Sequence, residues 1–276
     1  MKISVRGHDL DFAQKVHIMG ILNVTPDSFS DGGQFVSKGA IDRRAGEMLE
    51  AGVDIIDIGG ESSRPFAKPV SLADELSRVL PAIEIIRRRS AIPISIDTTK
   101  AEVARQALDA GADIINDISA CRFDPKMIEL ARLTDAPIII MHMQGTPGDM
   151  QISPTYKDVI QETIDFFRQR IDWLCRNGIN RQQIIIDPGI GFGKTVEHNL
   201  NILKNLDKYQ VLGCPVLLGH SRKSFIGKLL GNKVDLDNAT AVISALCAAK
   251  MAAIVRVHAV KANRQAVELA QAILQA

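Results

Sequence analysis

The 276-residue chain lacks an excess of charge of either sign, because 33 lysines and arginines stand against 32 aspartates and glutamates. A formal net charge of +1 argues against nucleic acid or an anionic membrane surface as a partner, since both call for a basic excess or a basic run. Any anion site must therefore come from a local cluster of cations. With 46% hydrophobic and 24% charged residues, the composition is that of a globular protein that can bury a sizeable core.

Long hydrophobic runs and paired cysteines are also missing. No apolar run approaches the ~18 residues that span a bilayer, and the amino-terminal segment MKISVRGHDLDF has no apolar core followed by a cleavage site. The cysteines stand singly, with no C-x-x-C pair, at Cys121, Cys175, Cys214 and Cys247. We therefore expect reduced thiols and a cytoplasmic protein without a membrane partner.

Short apolar runs recur along the chain and alternate with longer stretches of helical spacing. An N-terminal pair of short strands (3–5 and 10–12) precedes eight such runs: HIMGILN, VDIIDIG, IPISID, DIINDI, PIIIMH, QIIIDP, PVLLGHS and IVRVH. Strands that are apolar throughout are typical of parallel strands covered by helices. The pattern predicts one α/β domain over residues 1–276, a (β/α)8 TIM barrel with a short N-terminal β-hairpin. An open doubly wound sheet is the alternative fold, although the chain has no dinucleotide fingerprint.

Polar residues stand at the end of each apolar run, and in a barrel these ends converge on one mouth, where active sites are built. They are Asn23, Asp57, Asp97, Asn116, His142, Asp187, Ser221 with Arg222 and Lys223, and Arg256 with His258. Asp97, Asn116 and Asp187 suit a donor-rich heterocyclic edge such as that of a 2-amino-4-oxo pyrimidine. Asp57, close to Gly59 and Gly60, is expected to cap a helix or turn instead. A second group, Lys223, Arg256 and His258 with Arg64, predicts an anion site.

Metal-binding signals are limited to hard oxygen ligands. The absence of H-E-x-x-H, C-x-x-C and a close histidine pair argues against a tight zinc site. Asn23 and the loop carboxylates Asp27 and Asp31 are of the type that holds Mg2+ together with substrate phosphates. The glycine-rich segment 188–195, PGIGFGKT, fails the Walker A and dinucleotide spacings, but its backbone can approach a ligand closely. The long loops TPDSFSDGGQ and GGESSRPFAKP predict lids over the mouth.

Eight segments of the chain resemble, in the same order, those of the dihydropteroate synthase family. They are 20–33, 57–65, 95–104, 115–119, 141–147, 187–195, 220–227 and 256–258, of which NVTPDSFSDGG, DPGIGFGK and SRKS are together highly specific. The resemblance implies a homodimeric (β/α)8 barrel that uses Mg2+. It also implies the reaction: 6-hydroxymethyl-7,8-dihydropterin diphosphate condenses with 4-aminobenzoate, giving 7,8-dihydropteroate and diphosphate for folate synthesis.

The same resemblance implies a role for each matching residue. The implied pterin site comprises Asp97, Asn116, Met141, Asp187, Lys223 and Arg256. The implied catalytic residues are Asn23, Lys223, Arg256 and His258, with Asn23 and Asp31 as metal ligands. The aminobenzoate site and its loops would comprise Phe29, Asp31, Ser63, Arg64, Pro65, Phe192 and Ser221, with Lys194 close by. Two alternative functions stay open, a pterin-binding paralogue that has lost turnover and a pterin-dependent methyltransferase on the same barrel.

Overall fold

Two sheets organise the chain in the computed structural model, which describes residues 1–25, 37–65 and 67–276. The first is an antiparallel hairpin of β1 (Lys2–Val5) and β2 (His8–Asp11). The second contains eight parallel strands, β3 (His17–Asn23), β4 (Ile55–Gly59), β5 (Ile94–Asp97), β6 (Ile114–Asp117), β7 (Ile138–Met141), β8 (Ile184–Asp187), β9 (Leu217–Leu218) and β10 (Ile254–Val257). The helices of the described residues are α1 (Lys38–Glu50), α2 (Leu72–Arg89), α3 (Ala101–Asp109), α4 (Lys126–Thr134), α5 (Val159–Arg176), α6 (Val196–Lys204), α7 (Ser224–Leu230), α8 (Leu236–Ala249) and α9 (Val260–Gln275).

The larger sheet closes on itself. Strands β3 to β8 lie side by side in chain order, and β10 lies between β3 and β9. A parallel bridge from Ile186 in β8 to Val216, the residue before β9, completes the circuit. The predicted (β/α)8 barrel with an N-terminal hairpin is therefore confirmed, and the open doubly wound sheet is wrong.

Apolar side chains fill the amino-terminal end of the barrel. One inner residue from each of several strands, Met19, Ile55, Ile114, Ile139, Ile185, Leu217 and Ile254, packs in a single cluster. The same cluster contains Ile3, Val5 and Leu10 of the hairpin, so the hairpin covers this end of the barrel. A larger apolar cluster lies between the strands and the surrounding helices. The carboxyl ends of the strands are left to form the mouth, as in other barrels.

Local signals set the ends of the helices. Ser71 begins α2 by accepting a hydrogen bond from the backbone N–H of Asp74 at 3.1 Å, and the helix continues through Pro81 to Arg89. Asp158 and Asp235 cap α5 and α8 in the same way. Across the described ranges, none of the helices has the length and apolar character that crossing a membrane requires.

Candidate active site

Five polar residues from five strands meet at the mouth of the barrel. They are Asp57, Asp97, Asn116, Asp187 and Arg256. Asp57 is 0% exposed, and Asn116 and Asp187 are also buried. The side chains of Asp97 and Arg256 keep 14% and 17% of their surface exposed. A ligand that enters the mouth can therefore reach Asp97 and Arg256, whereas Asp57 lies behind them.

Arg256 connects two of the carboxylates. Its Nε donates to Oδ2 of Asp57 at 2.6 Å, and its Nη2 lies 2.5 Å from the same oxygen and 2.6 Å from Oδ2 of Asp97. The other oxygen of Asp57 accepts a hydrogen bond from Nδ2 of Asn116 at 3.2 Å. The expectation that Asp57 caps a helix or turn is wrong. This residue lies inside β4, and its carboxylate bonds side chains of β6 and β10 rather than backbone N–H groups.

Burial disfavours the charged forms of Asp97, Asp187 and Lys223 and shifts their pKa values accordingly. It raises the pKa of Asp97 to about 7, with the charge of Arg256 opposing the rise. Burial also raises the pKa of Asp187, although the backbone N–H of Gly189 donates to that carboxylate at 2.8 Å and favours its charged form. Burial and the charge of Arg256 lower the pKa of Lys223 to about 8. Asp97 and Lys223 can therefore change protonation when a substrate changes their surroundings.

The loop after β8 packs closely on the end of β7 because its glycines adopt left-handed conformations. Gly189 has φ +72°, and a Cβ there would lie 2.0 Å from the carbonyl oxygen of His142. Gly193 has φ +58°, and its Cβ would lie 2.6 Å from the carbonyl oxygen of Gln144. Only glycine fits such positions without strain. The backbone of PGIGFGKT thus approaches the neighbouring loop closely, whereas its expected approach to a ligand stays a prediction.

Lys194 holds this loop in place through polar contacts of its Nζ. Its Nζ donates to the carbonyl oxygen of Phe192 at 3.0 Å and lies 3.0 Å from Nδ1 of His142. The imidazole of His142 packs edge-on against Phe166 of α5, with ring centroids 4.9 Å apart. Burial lowers the pKa of Lys194 to about 7 and that of His142 to about 2. His142 is therefore a neutral packing residue beside α5, and the expectation that it joins the mouth is wrong.

An apolar cluster lies next to the end of β7. Met141 packs there with Met143, Met150 and Phe192. The Nζ of Lys223 lies 4.0 Å from the centroid of the Phe192 ring, in a cation–π contact. The structure thus brings Met141 and Lys223, predicted for the pterin site, next to Phe192, predicted for the aminobenzoate site.

Ser221 and His258 form a pair across the ends of β9 and β10. The Oγ of Ser221 lies 2.9 Å from Nδ1 of His258 and accepts the backbone N–H of the same histidine at 3.1 Å. Burial and the charges of Arg222 and Arg256 lower the pKa of His258 to about 3, so its imidazole is neutral. Arg222 itself pairs with Asp237 of α8 at 2.7 Å and is exposed. Arg222 therefore lies at the surface close enough to His258 to affect its pKa, and its predicted place at the mouth stays a prediction.

The loop after β4 is tied to the barrel at its base. Nζ of Lys100 donates to Oε2 of Glu61 and, at 2.6 Å, to Oε2 of Glu75, which is fully buried. The other oxygen of Glu61 accepts the backbone N–H of Val70 at 3.0 Å and so joins the two ends of the loop. The sequence analysis gave no role to this group of one lysine and two glutamates, although two of the segments that carry the family resemblance contain Lys100 and Glu61. The signal for this group in the sequence consists of Lys100 in DTTK and Glu61 in GGESS.

Within the described ranges, the remaining predicted residues form no hydrogen bond or ion pair with the mouth side chains described above. Ser63 is partly buried, Arg64 and Pro65 are exposed, and in the described ranges no ion pair joins Arg64 to another residue. Asn23 lies at the end of β3, where a Cβ on Gly59 would be 3.5 Å from its Oδ1. The predicted residues Asp27, Phe29 and Asp31 lie outside the described residues. Within the part of the chain that is described, no group of three or more His, Cys, Asp or Glu side chains is arranged to hold a metal ion.

Comparisons with known proteins agree on one family. The family described as pterin binding enzyme matches residues 19–258. The chain is 48% identical over 265 residues to the dihydropteroate synthase of Synechocystis sp., covering 95% of this chain and 92% of that relative. The Yersinia pestis dihydropteroate synthase in a sulfonamide drug complex has a TM-score of 0.93 and 40% identity, covering 100% of both chains. The Xanthomonas albilineans dihydropteroate synthase in complex with 7,8-dihydropteroate has a TM-score of 0.90 and 36% identity, also covering 100% of both chains.

A closed barrel with a buried polar mouth, matched over most of its length, defines a pterin binding enzyme. The chain belongs to this family and, within it, to the dihydropteroate synthases. The function expected from the sequence motifs is therefore confirmed: the chain is a transferase of the dihydropteroate synthase type.

Proposed function

We propose that this mouth binds the pterin diphosphate and 4-aminobenzoate side by side and joins them into 7,8-dihydropteroate. The observation that carries the proposal is the meeting, at one mouth, of carboxyl and amide acceptors with partly buried cations. A pterin diphosphate has a donor-rich ring at one end and an anion at the other, so it requires both kinds of group. The solved relative that contains 7,8-dihydropteroate supports this product.

The pterin ring is assigned to the acidic part of the mouth. The carboxylates of Asp97 and Asp187 and the amide of Asn116 accept hydrogen bonds from the amino and N–H groups of the ring. Lys223 donates to the ring, and Met141 packs beside it. Burial of these groups supports the assignment, because a hydrogen bond in a water-poor site discriminates strongly against ligands that cannot form it.

The diphosphate is assigned to Arg256, His258 and Asn23. As the bond between the methylene carbon and the diphosphate oxygen breaks, negative charge develops on the diphosphate. The Nη1 of Arg256, which bonds no other described residue, and an N–H of the neutral His258 can donate to it. The electron-rich dihydropterin ring shares the positive charge on the methylene carbon, so a dissociative displacement is favoured.

The second substrate then completes the reaction. The neutral amine of 4-aminobenzoate attacks the methylene carbon, the C–N bond forms, and the surplus proton passes to solvent. An aromatic amine attacking a cation needs no strong general base. Phe192 and Ser221 are proposed to line its pocket, and Phe29, Ser63, Arg64 and Pro65 to lie over it and exclude water.

Magnesium is the proposed cofactor. The amide oxygen of Asn23 is a hard ligand, and among the described residues it has no hydrogen-bond partner, so it fits this ion. Asp31 is the second proposed ligand. When bound, Mg2+ neutralises part of the charge of the diphosphate.

A second copy of the chain is proposed to cover the apolar face of α7 and α8. Leu230, Val242 and Leu246 are 61%, 56% and 64% exposed and line a groove of about 650 Å3. Contiguous apolar surface of this kind marks an interface. The homodimer implied by the sequence resemblance is thereby supported.

Two further expectations stay proposals. The four cysteines are all free thiols, which supports a reducing, cytoplasmic location. The hairpin and the barrel share one apolar cluster, which supports a single domain over residues 1–276.

The test is synthesis of dihydropteroate by the whole protein. Incubation with both substrates and Mg2+ should give 7,8-dihydropteroate and equimolar diphosphate. Omission of 4-aminobenzoate should abolish the formation of 7,8-dihydropteroate. Asp97→Asn should weaken pterin binding, and Arg256→Ala should lower turnover far more than stability. Asp54→Asn is the matched control, because Asp54 pairs with Arg264 just before β4, at the opposite end of the barrel. A folded protein that makes no product would contradict the proposal.

A further inference from the structure

We infer that Asp57 is a positioning residue that holds Arg256 at the mouth when the pterin ring replaces Arg256 as the partner of Asp97. The inference rests on the proposed function, in which Asp97 binds the ring and Arg256 binds the diphosphate. It deepens that function by giving the two carboxylates that share Arg256 different tasks.

The two carboxylates differ in accessibility. Asp57 has a side chain that is 0% exposed, whereas that of Asp97 is 14% exposed. They lie on adjacent strands, β4 and β5, so that the guanidinium of Arg256 reaches both from β10. A ligand in the mouth can therefore bond Asp97 but is screened from Asp57.

The two carboxylates also differ in how many of their oxygens already accept hydrogen bonds. Both oxygens of Asp57 accept hydrogen bonds, Oδ2 from Arg256 at 2.6 Å and Oδ1 from Asn116 at 3.2 Å. Asp97 accepts from Arg256 through Oδ2 alone, and within the described ranges its Oδ1 has no partner. The free acceptor capacity of the pair thus belongs to Asp97, which is where a donor-rich ring can bind.

The bond from Arg256 to Asp97 competes with the ring. When the amino and N–H groups of a pterin bond Asp97, the guanidinium gives up a charged partner in a largely buried site. Breaking a buried ion pair is costly when one charge is left alone. Asp57 removes that cost, since Nε and Nη2 of Arg256 both remain on its Oδ2. The guanidinium then keeps its place, and its Nη1 faces the diphosphate.

The same carboxylate orients a second ligand-binding side chain. Because Oδ1 of Asp57 accepts from Nδ2 of Asn116, the carbonyl oxygen of that amide is turned to the remaining side. One buried carboxylate therefore fixes a cation for the diphosphate end and an amide for the ring end. In Asp57→Asn, an NH2 group replaces one of the two oxygens, so that either Asn116 or Arg256 faces a donor instead of an acceptor.

The test is a double-mutant cycle on pterin binding, measured by calorimetry with 6-hydroxymethylpterin, which lacks the diphosphate. Asp57→Asn should weaken binding about tenfold, because Asp97 is then the one carboxylate that Arg256 bonds, and Arg256 competes harder with the ring. In an Arg256→Met background the same change should alter affinity less than about twofold, because the competitor is gone. With pterin diphosphate, Asp57→Asn should also lower kcat, while the KM for 4-aminobenzoate stays near the wild-type value.

Asp54→Asn is the control, since it also removes one carboxylate from an arginine pair but lies at the other end of the barrel. It should leave pterin affinity unchanged in both backgrounds. Equal losses from Asp57→Asn with and without Arg256, or no loss at all, would overturn the inference. A wild-type protein that does not bind 6-hydroxymethylpterin would instead overturn the proposed function.

A measurement on the unmutated chain keeps the inference testable if Asp57→Asn does not fold. The Nε–H of Arg256 can be followed by 15N NMR and assigned by its loss in Arg256→Lys. Its exchange with solvent should stay slow in the free protein and after 6-hydroxymethylpterin is added, because the bond to Asp57 persists. Fast exchange on addition of the pterin would contradict the retention of Arg256 by Asp57.

Discussion

The hydroxyl of Ser221 lies 2.9 Å from Nδ1 of His258 and accepts the backbone N–H of the same histidine at 3.1 Å. The hydroxyl proton is thus free to point at Nδ1, which places the single proton of the neutral imidazole on Nε2. An Nε2–H directed away from Ser221 is a donor for an anion. One serine at the end of β9 thereby selects the tautomer of a histidine at the end of β10.

Ser221→Ala should lower kcat about tenfold, as expected when the partner that orients a functional histidine is lost. The physical cause is the loss of the donor to Nδ1, so that both tautomers of His258 become populated. Steady-state rates of diphosphate release measure the effect. Ser221→Thr retains the hydroxyl and should recover most of the rate. Full activity in Ser221→Ala would show that the tautomer of His258 is irrelevant to turnover.

Pterin binding should weaken as the pH rises above about 8, because burial and Arg256 lower the pKa of Lys223 to about 8. Below this pH the amine is charged and donates strongly to the ring, and above it the charge is lost. Calorimetric titrations between pH 7 and 9.5 measure the change. In Lys223→Met the affinity should be lower and this pH dependence should vanish. An identical pH profile in the variant would assign the titration to another group.

Lys194 should make the protein more stable as the pH rises from 7 toward 10. Burial lowers its pKa from 10.5 to about 7 in the folded state, so between these values the unfolded chain binds the extra proton. Stability rises with pH wherever the unfolded state binds more protons, by at most about 1.4 kcal/mol per pH unit for one group. Urea unfolding at pH 7, 8 and 9 should show this slope reduced in Lys194→Met. Lys208→Met, at an exposed lysine, should keep the wild-type slope.

Leu246→Glu should convert the proposed dimer to monomer, because it places a charge on the exposed apolar face of α8, where Leu246 is 64% exposed. Analytical ultracentrifugation measures the oligomeric state. Leu133→Glu is the matched control, since Leu133 is 66% exposed on α4, outside the groove. A dimer that survives Leu246→Glu would place the interface on another face.

The alternation of apolar runs and helical stretches determined a parallel sheet covered by helices, because such strands are apolar on both faces, and the eight units favoured a barrel. The polar residues after those runs determined where the mouth would be, and Asp97, Asn116, Asp187 and Arg256 do meet there. The motifs determined the family. These are local signals, each contained in a few consecutive residues.

Which way a polar residue faces, and what it bonds, was decided by the tertiary structure. The sequence suggested that Asp57 is a cap, because no local pattern indicates its partners Asn116 and Arg256, which are 59 and 199 positions away along the chain. His142 looked like a mouth residue, but it follows Met141 by one position and bonds Lys194 beside α5. Successive side chains of a strand point to opposite faces, so a shift of one residue separates the mouth from the outer layer. Only closure of the barrel fixed that register and placed one buried carboxylate behind Arg256.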